Sequence, residues 1–322
     1  MPDPAADRDL RIRLAAFEWL REQADLYDGV LPWTVLSKGF EFEGARVPLA
    51  SMQGIFKPKV LPEIPLTIRT ASHDPYHDDL AGDGGVLRYA YRGDDPWHRD
   101  NRGLRLAMER RVPIIYLYGI AKGKYVPAWP VLIVGDDPAH KMFTVQIEES
   151  ARVGPDVSRT AEGYQRVEPP APDAGADARR SYITRAFQAR LHQRAFRERV
   201  LGAYKTQCAL CRLRHEELLD AAHIIGDTEP DGEPVIPNGL ALCKLHHAAY
   251  DRHFLTVTPA YVIEVRPSIL AEEDGPMLLH GLKEMHGREI YLPHHREHHP
   301  DRERLERRYR RFRAAKTAFG AA

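Results

Sequence analysis

The chain has 322 residues and only three cysteines, Cys208, Cys211 and Cys243, all inside one window of 36 residues. An odd count leaves no closed set of disulfides, and a cytoplasmic chain is not expected to keep one. The spacing supports another account. Cys208-Ala-Leu-Cys211 and Cys243-Lys-Leu-His246 are two pairs, each with two residues between its donors. Together they form one Cys3His set, which suits a tetrahedral structural Zn2+. The plainer alternative is three buried thiols with no ion. A second pair follows directly: His247 and Asp251 are four apart. On a helix their side chains leave the same face and suit one divalent ion.

These donors need a frame. Leu218–Ile225 carries His223 and reads as a short strand, and 226–237 is a loop rich in Asp, Gly and Pro. Asn238-Gly239 reads as a turn, and Leu240–Asp251 as the start of a helix. Phe254–Thr258 and Tyr261–Val265 return to a strand pattern. A long helical pattern from Arg180 to about Tyr204 delivers the chain to Cys208. Taken alone, His223 also fits a satisfied core histidine.

In this order the segments resemble the HNH nuclease family, whose core is the ββα-metal fold. The matching residues are A-A-H-I at 221–224, N-G-L-x-L-C at 238–243 and H-H-x-x-[FY]-D at 246–251. The resemblance covers about Arg180–Arg266. It implies that His223 is the general base for water, a role a neutral imidazole fills near its working pH. It implies that His247 and Asp251 hold a catalytic Mg2+ or Mn2+, other divalent ions being accepted, while His246 turns to the zinc. Asn238, the middle letter of the motif, would brace the loop carrying the base. One departure stands out: many relatives have a further metal ligand directly before the base, where this chain has Ala222. Asp220 is the candidate replacement, although strand alternation sets it on the face opposite His223.

Upstream, residues 8–27 read as an amphipathic helix, and 30–150 switch to strand-like runs at Phe40–Val47, Val86–Tyr91, Val112–Ile120, Ala128–Val134 and Met142–Ile147. One helix, Asn101–Arg111, interrupts them. The N-x-x-L helix followed by V-P-I and G-K-Y-x-x-x-W-P-V strands is similar to a PUA-like barrel, and more narrowly to the SRA domains that read a flipped, methylated cytosine. The resemblance implies a pocket with aromatic walls and polar groups for the base edge. Its candidates are Tyr89, Tyr91, Trp97, Tyr116 and Trp129, with Asp94 as an edge reader, though core packing is the simpler account of each aromatic. His73/His77 and His294–His299 are histidine clusters, read as surface loops.

The whole is expected to be α+β: an N-terminal mixed, mostly β PUA/SRA-like barrel (1–150), a Pro-rich linker (151–178), and a zinc-stabilised ββα-metal HNH domain with a basic C-terminal helix (179–322). Hydrophobic residues at 43% and charged residues at 29% fit a soluble globular chain. No apolar run spans a bilayer and no signal pattern opens the chain, so no membrane partner and a cytoplasmic setting are expected. The net charge of zero hides an asymmetry: 1–150 carry 19 basic and 22 acidic residues, the remainder 27 and 24. Arg179–Arg199 and Arg304–Lys316 each hold seven basic residues and one Glu, which suits phosphate contacts or a solvated helix face.

The function expected is a modification-dependent restriction endonuclease, type IV or IIM in kind, that cuts double-stranded DNA near 5-methylcytosine or 5-hydroxymethylcytosine. The rival readings are an HNH nuclease reading unmodified sequence or another mark such as phosphorothioate, a decayed nuclease kept as a DNA-binding module, and a nuclease toxin. One site cuts one strand, so a homodimer is expected for a duplex.

Overall fold

The computed structural model describes residues 4–70, 86–152 and 175–319. The cluster at His73/His77 and most of the expected linker lie outside the described residues. The chain divides into two compact units, the second taking up the long helix at His192.

The first unit opens with α1 (Pro4–Leu26). Ile12, Ala16, Leu20 and Ala24, four residues apart, make one buried stripe along it. Arg13, on the same helix, is fully buried but satisfied: its guanidinium pairs with Asp9 (2.5 Å) and donates to the carbonyls of Ile64 and Pro65. There follow β1 (Leu31–Pro32), α2 (Trp33–Lys38), and the hairpin β2 (Phe40–Phe42) and β3 (Ala45–Val47). Next come β4 (Ile55–Phe56), β5 (Thr67–Thr70), β6 (Leu87–Ala90) and α3 (Arg99–Glu109). The unit's strands end with β7 (Ile114–Ala121), β8 (Lys124–Asp137) and β9 (Met142–Arg152).

Seven of these strands make one sheet, ordered β4-β5-β7-β8-β9-β6 with β1 alongside β8. Register shifts along β7–β8 and β8–β9 bend it. It curls into a half-barrel. Across its open side the Tyr89 hydroxyl of β6 donates to the Arg69 carbonyl of β5 at 3.2 Å.

The second unit starts from the C-terminal part of α4 (Ala176–Ala203). Then come β10 (Leu219–His223), β11 (Gly239–Cys243), α5 (Lys244–Asp251), β12 (Leu255–Val257) and β13 (Ile263–Val265). Three helices close it: α6 (Pro267–Ala271), α7 (Pro276–Gly281) and α8 (Arg302–Phe319). β10 and β11 pair antiparallel, Leu219 opposite Cys243 and His223 opposite Gly239. Residues 240–243 are therefore strand, not the helix start that their pattern suggested. All five residues of β11 are buried, and a short apolar run carries no period that separates strand from buried helix. Pairing with β10 decides it.

No helix among the described residues is long and apolar enough to cross a membrane.

Candidate active site

The strand–helix junction at the end of β11 is where the donors converge. Cys243 is the last residue of β11, and His246 sits in the first turn of α5. The other knuckle, Cys208 to Cys211, is tacked to the same strand by the Ala209 N–H, which donates to the Ala241 carbonyl at 2.7 Å. The four donor atoms lie within 4.8 Å of one another. Cys211 Sγ stands 3.9 Å from Cys243 Sγ, and His246 Nδ1 stands 3.5 Å from Cys208 Sγ and 3.2 Å from Cys243 Sγ. Tetrahedral zinc with bonds of about 2.3 Å to sulfur needs edges of about 3.8 Å, so the set fits. His246 Nε2 is 2.7 Å from the Gly281 carbonyl, which fixes the tautomer that leaves Nδ1 for the metal. Burial opposes a charge on His246, yet its contacts with Cys208 and Cys211 outweigh this and push it up to about 10. Hydrogen bonds from Cys211 and Cys243 hold the Cys208 thiol far below its ordinary value.

His247, the next residue, turns to the other side. Its Nε2 is 3.3 Å from Asp251 Oδ2, and its Nδ1 is 3.4 Å from Asp220 Oδ2. All three side chains are largely enclosed. Two nitrogens on opposite edges of one ring cannot bind the same ion. The Nε2–Asp251 edge has the right span for two neighbouring ligands, and Asp220 then holds Nδ1–H from behind. Lys244 (3.4 Å) and Arg197 (3.9 Å) also face Asp220. Burial raises its carboxyl, but the contact with His247 and the charges of His247 and Lys244 win, holding it well below the usual carboxylate range.

His223 ends β10 on the side of α4. Its ring stacks on Phe196 with centroids 4.1 Å apart and planes at 19°. Burial, then the nearby charge of His247, push its pKa down to about 4, with Asp220 opposing, so His247 and Asp220 lie within electrostatic reach of it. His223 packs on Phe196 of α4, and Asp220 meets His247 and Lys244 of α5 as well as Arg197 of α4.

Asn238 is fully buried and ties the loop ends together. Its Nδ2 donates to the carbonyls of Ile225 (2.9 Å) and Glu233 (3.1 Å), and its Oδ1 accepts from the Ile225 N–H (2.9 Å). With both amide hydrogens engaged inside the protein, this side chain positions the segment just after His223.

Several arginines of both basic stretches are internal braces. Arg197 donates to the carbonyls of Glu216 and Leu219, and Arg199 to that of Pro234. On α8, Arg304 pairs with Glu233 (2.7 Å), Arg307 with Asp231 (2.8 Å) and Arg311 with both oxygens of Glu229. The loop between His223 and Asn238 is thus clamped by its own acids, a role their distant sequence positions do not reveal.

In the first unit the rings of Tyr89, Tyr91, Tyr116 and Trp129 pack in the core, between 0% and 7% exposed. They build the half-barrel and present no open face. Asp94 is exposed and pairs with Lys141 at 2.5 Å. Trp97 differs: it is 72% exposed and rests on the Arg105 guanidinium, 5.1 Å from its ring. Arg105 is in turn held by Asp136 (2.5 Å), and the loop bearing Trp97 is stapled by buried Asn101, whose amide bonds the carbonyls of Arg92 and Asp95.

A paired hairpin, a helix leaving its second strand, and His, Asn and His at these positions define a ββα nuclease module. Residues 208–258 match the HNH endonuclease family, and the chain carries an HNH endonuclease domain. Two solved structures align with much of this chain. One is described as a modification dependent TagI restriction endonuclease, with 15% identity over 77% of this chain and 82% of that one, at a TM-score of 0.26. The other is described as the type IV phosphorothioation-dependent restriction endonuclease ScoMcrA, with 14% identity over 79% of this chain and 50% of that one, at a TM-score of 0.20. Comparison with curated proteins gives no match.

Proposed function

We propose that this protein is a modification-dependent restriction endonuclease that hydrolyses double-stranded DNA near 5-methylcytosine or 5-hydroxymethylcytosine. The observation that carries the nuclease part is the grouping of His223, Asp220, His247 and Asp251 on one β10–β11–α5 frame. His223, kept neutral by burial, takes a proton from water. The water oxygen then bonds to phosphorus, the bond from phosphorus to the 3′-oxygen breaks, that oxygen takes up a proton from solvent, and the products carry a 5′-phosphate and a 3′-hydroxyl. His247 and Asp251 would hold a divalent ion, Mg2+ or Mn2+, which when bound would supply positive charge to the phosphate and the departing oxygen. Asp220 orients His247, and Asn238 fixes the backbone beside His223. The Cys3His set takes a structural Zn2+ that anchors the first turn of α5, and with it His247.

The modified base belongs to residues 1–150. Their strand pattern and curled sheet support an SRA/PUA-like reader, and Trp97, exposed on a rigid support, is the residue there best placed to stack on a base. A homodimer would bring two sites to one duplex. The test is a plasmid digest with Mg2+ or Mn2+, using methylated, hydroxymethylated and unmodified DNA. Cutting confined to modified plasmid is expected. Equal cutting of all three removes the modification reading, and no cutting of any removes the nuclease.

A further inference from the structure

The second unit has a groove of about 540 Å3 that the catalytic reading leaves unused. Its lining includes Arg199, Lys205, His294, His295 and His298, together with Ile236. The carboxylate in its lining, Glu198, is nearly enclosed (7% exposed) and paired with Arg197 at 3.1 Å. Glu297 lies beside His298 at 3.9 Å, itself 78% exposed. His294 and His295 are exposed, with ring centroids 5.1 Å apart, and His298 lies 5.7 Å from His295. Among the described residues only the Cys3His set gathers three or more donors closely enough for a metal. The groove therefore gathers guanidinium, ammonium and imidazole groups beside Ile236, which suits a sugar–phosphate segment.

Its place in the fold sets it beside the base. Phe196, which stacks on the His223 ring, precedes Glu198, Arg199 and Gly202 of the groove lining on the same helix. Ile236 opens the turn that ends in Asn238, so the groove and the base-bearing segment share a wall.

We propose that this groove binds a backbone phosphate of the DNA duplex other than the one that is cut. The proposal rests on the nuclease reading for its ligand, and its test separates the two. Binding of a short, unmodified, labelled duplex is measured by fluorescence polarisation across about 50–200 mM salt, with the full chain carrying His223→Ala to prevent cutting. The comparison chain adds Lys205→Ala, His294→Ala and His295→Ala. Each lost phosphate contact reduces the slope of log affinity against log salt by about 0.9. A slope lower by about 0.9, with zinc content and melting temperature unchanged, is expected. An unchanged slope and affinity overturns the proposal. If the triple variant loses zinc or stability, Lys205→Glu alone is read in the same assay, where weaker binding supports the groove and unchanged binding overturns it. Inorganic phosphate is titrated in parallel. If it shifts the histidine resonances while the variants bind DNA as before, the groove serves free phosphate and the proposal falls. A wild-type plasmid digest completes the set. Lost slope without any nicking removes the nuclease reading and keeps the groove, whereas nicking with an unchanged slope does the reverse.

Discussion

In the proposed hydrolysis His223 takes the proton from water, and its surroundings set its pH behaviour. A base works in its neutral form. A pKa lowered from 6.5 to about 4 keeps that form populated as the pH falls, so activity is lost only below the range of an ordinary imidazole. The acid limb of kcat/KM against pH is expected below pH 6, and a limb at or above 6.5 contradicts this environment. His223→Ala should abolish cutting and leave DNA binding near wild type, which polarisation and plasmid assays check together. Asp220 was the ambiguous residue. Strand alternation expects it on the face opposite His223, but alternation does not say that α5 folds back over its face and brings His247 to it. As the partner of His247 Nδ1, Asp220 has a role that Asp220→Asn weakens without removing a ligand. Metal affinity, read by Mn2+ titration, should fall about 10- to 100-fold. Unchanged affinity would place Asp220 outside the metal site.

At the level of elements, the site depends on how closely α4 approaches β11. A Cβ placed on Gly239 would lie 2.4 Å from the Val200 side chain and 2.9 Å from the Phe196 ring. Gly239→Ala must therefore move the ring on which His223 stacks, at a cost of about 1–3 kcal/mol of stability. A lower midpoint in urea together with a lower kcat is expected, and a variant with wild-type values of both would show that this approach is not needed. The N-G-L-x-L-C motif marks this glycine in the sequence, but the reason for it lies in a helix some forty residues upstream. The same holds for α8. Its arginines read as phosphate ligands, yet Arg304, Arg307 and Arg311 meet Glu233, Asp231 and Glu229. Charge composition alone cannot tell a solvated cation from one already paired across the fold.

For the whole molecule, the Cys3His set, with zinc bound as proposed, would staple the second unit. Cys208→Ser opens the Cys3His set, so elemental analysis should show zinc lost and the melting temperature should fall. A strong chelator should do the same to the wild type, and added Mg2+ alone should not restore cutting, since His247 is oriented from the zinc-bound turn. Retention of full zinc by Cys208→Ser would contradict the assignment of ligands. The donor set, the i,i+4 pair and the His–Asn–His order were legible from residue types and spacing, because ligand chemistry and helix period are local properties. So were the long helices and most strands of the first 150 residues. The tertiary structure decided the rest: that 240–243 pairs as a strand, that Asp220 backs His247, that four candidate aromatics are core and Trp97 is not, and that the basic C-terminal helix braces a loop. Each of these depends on which distant surfaces meet, and pairing, burial and charge neutralisation across the chain leave no periodic trace in the order of the amino acids.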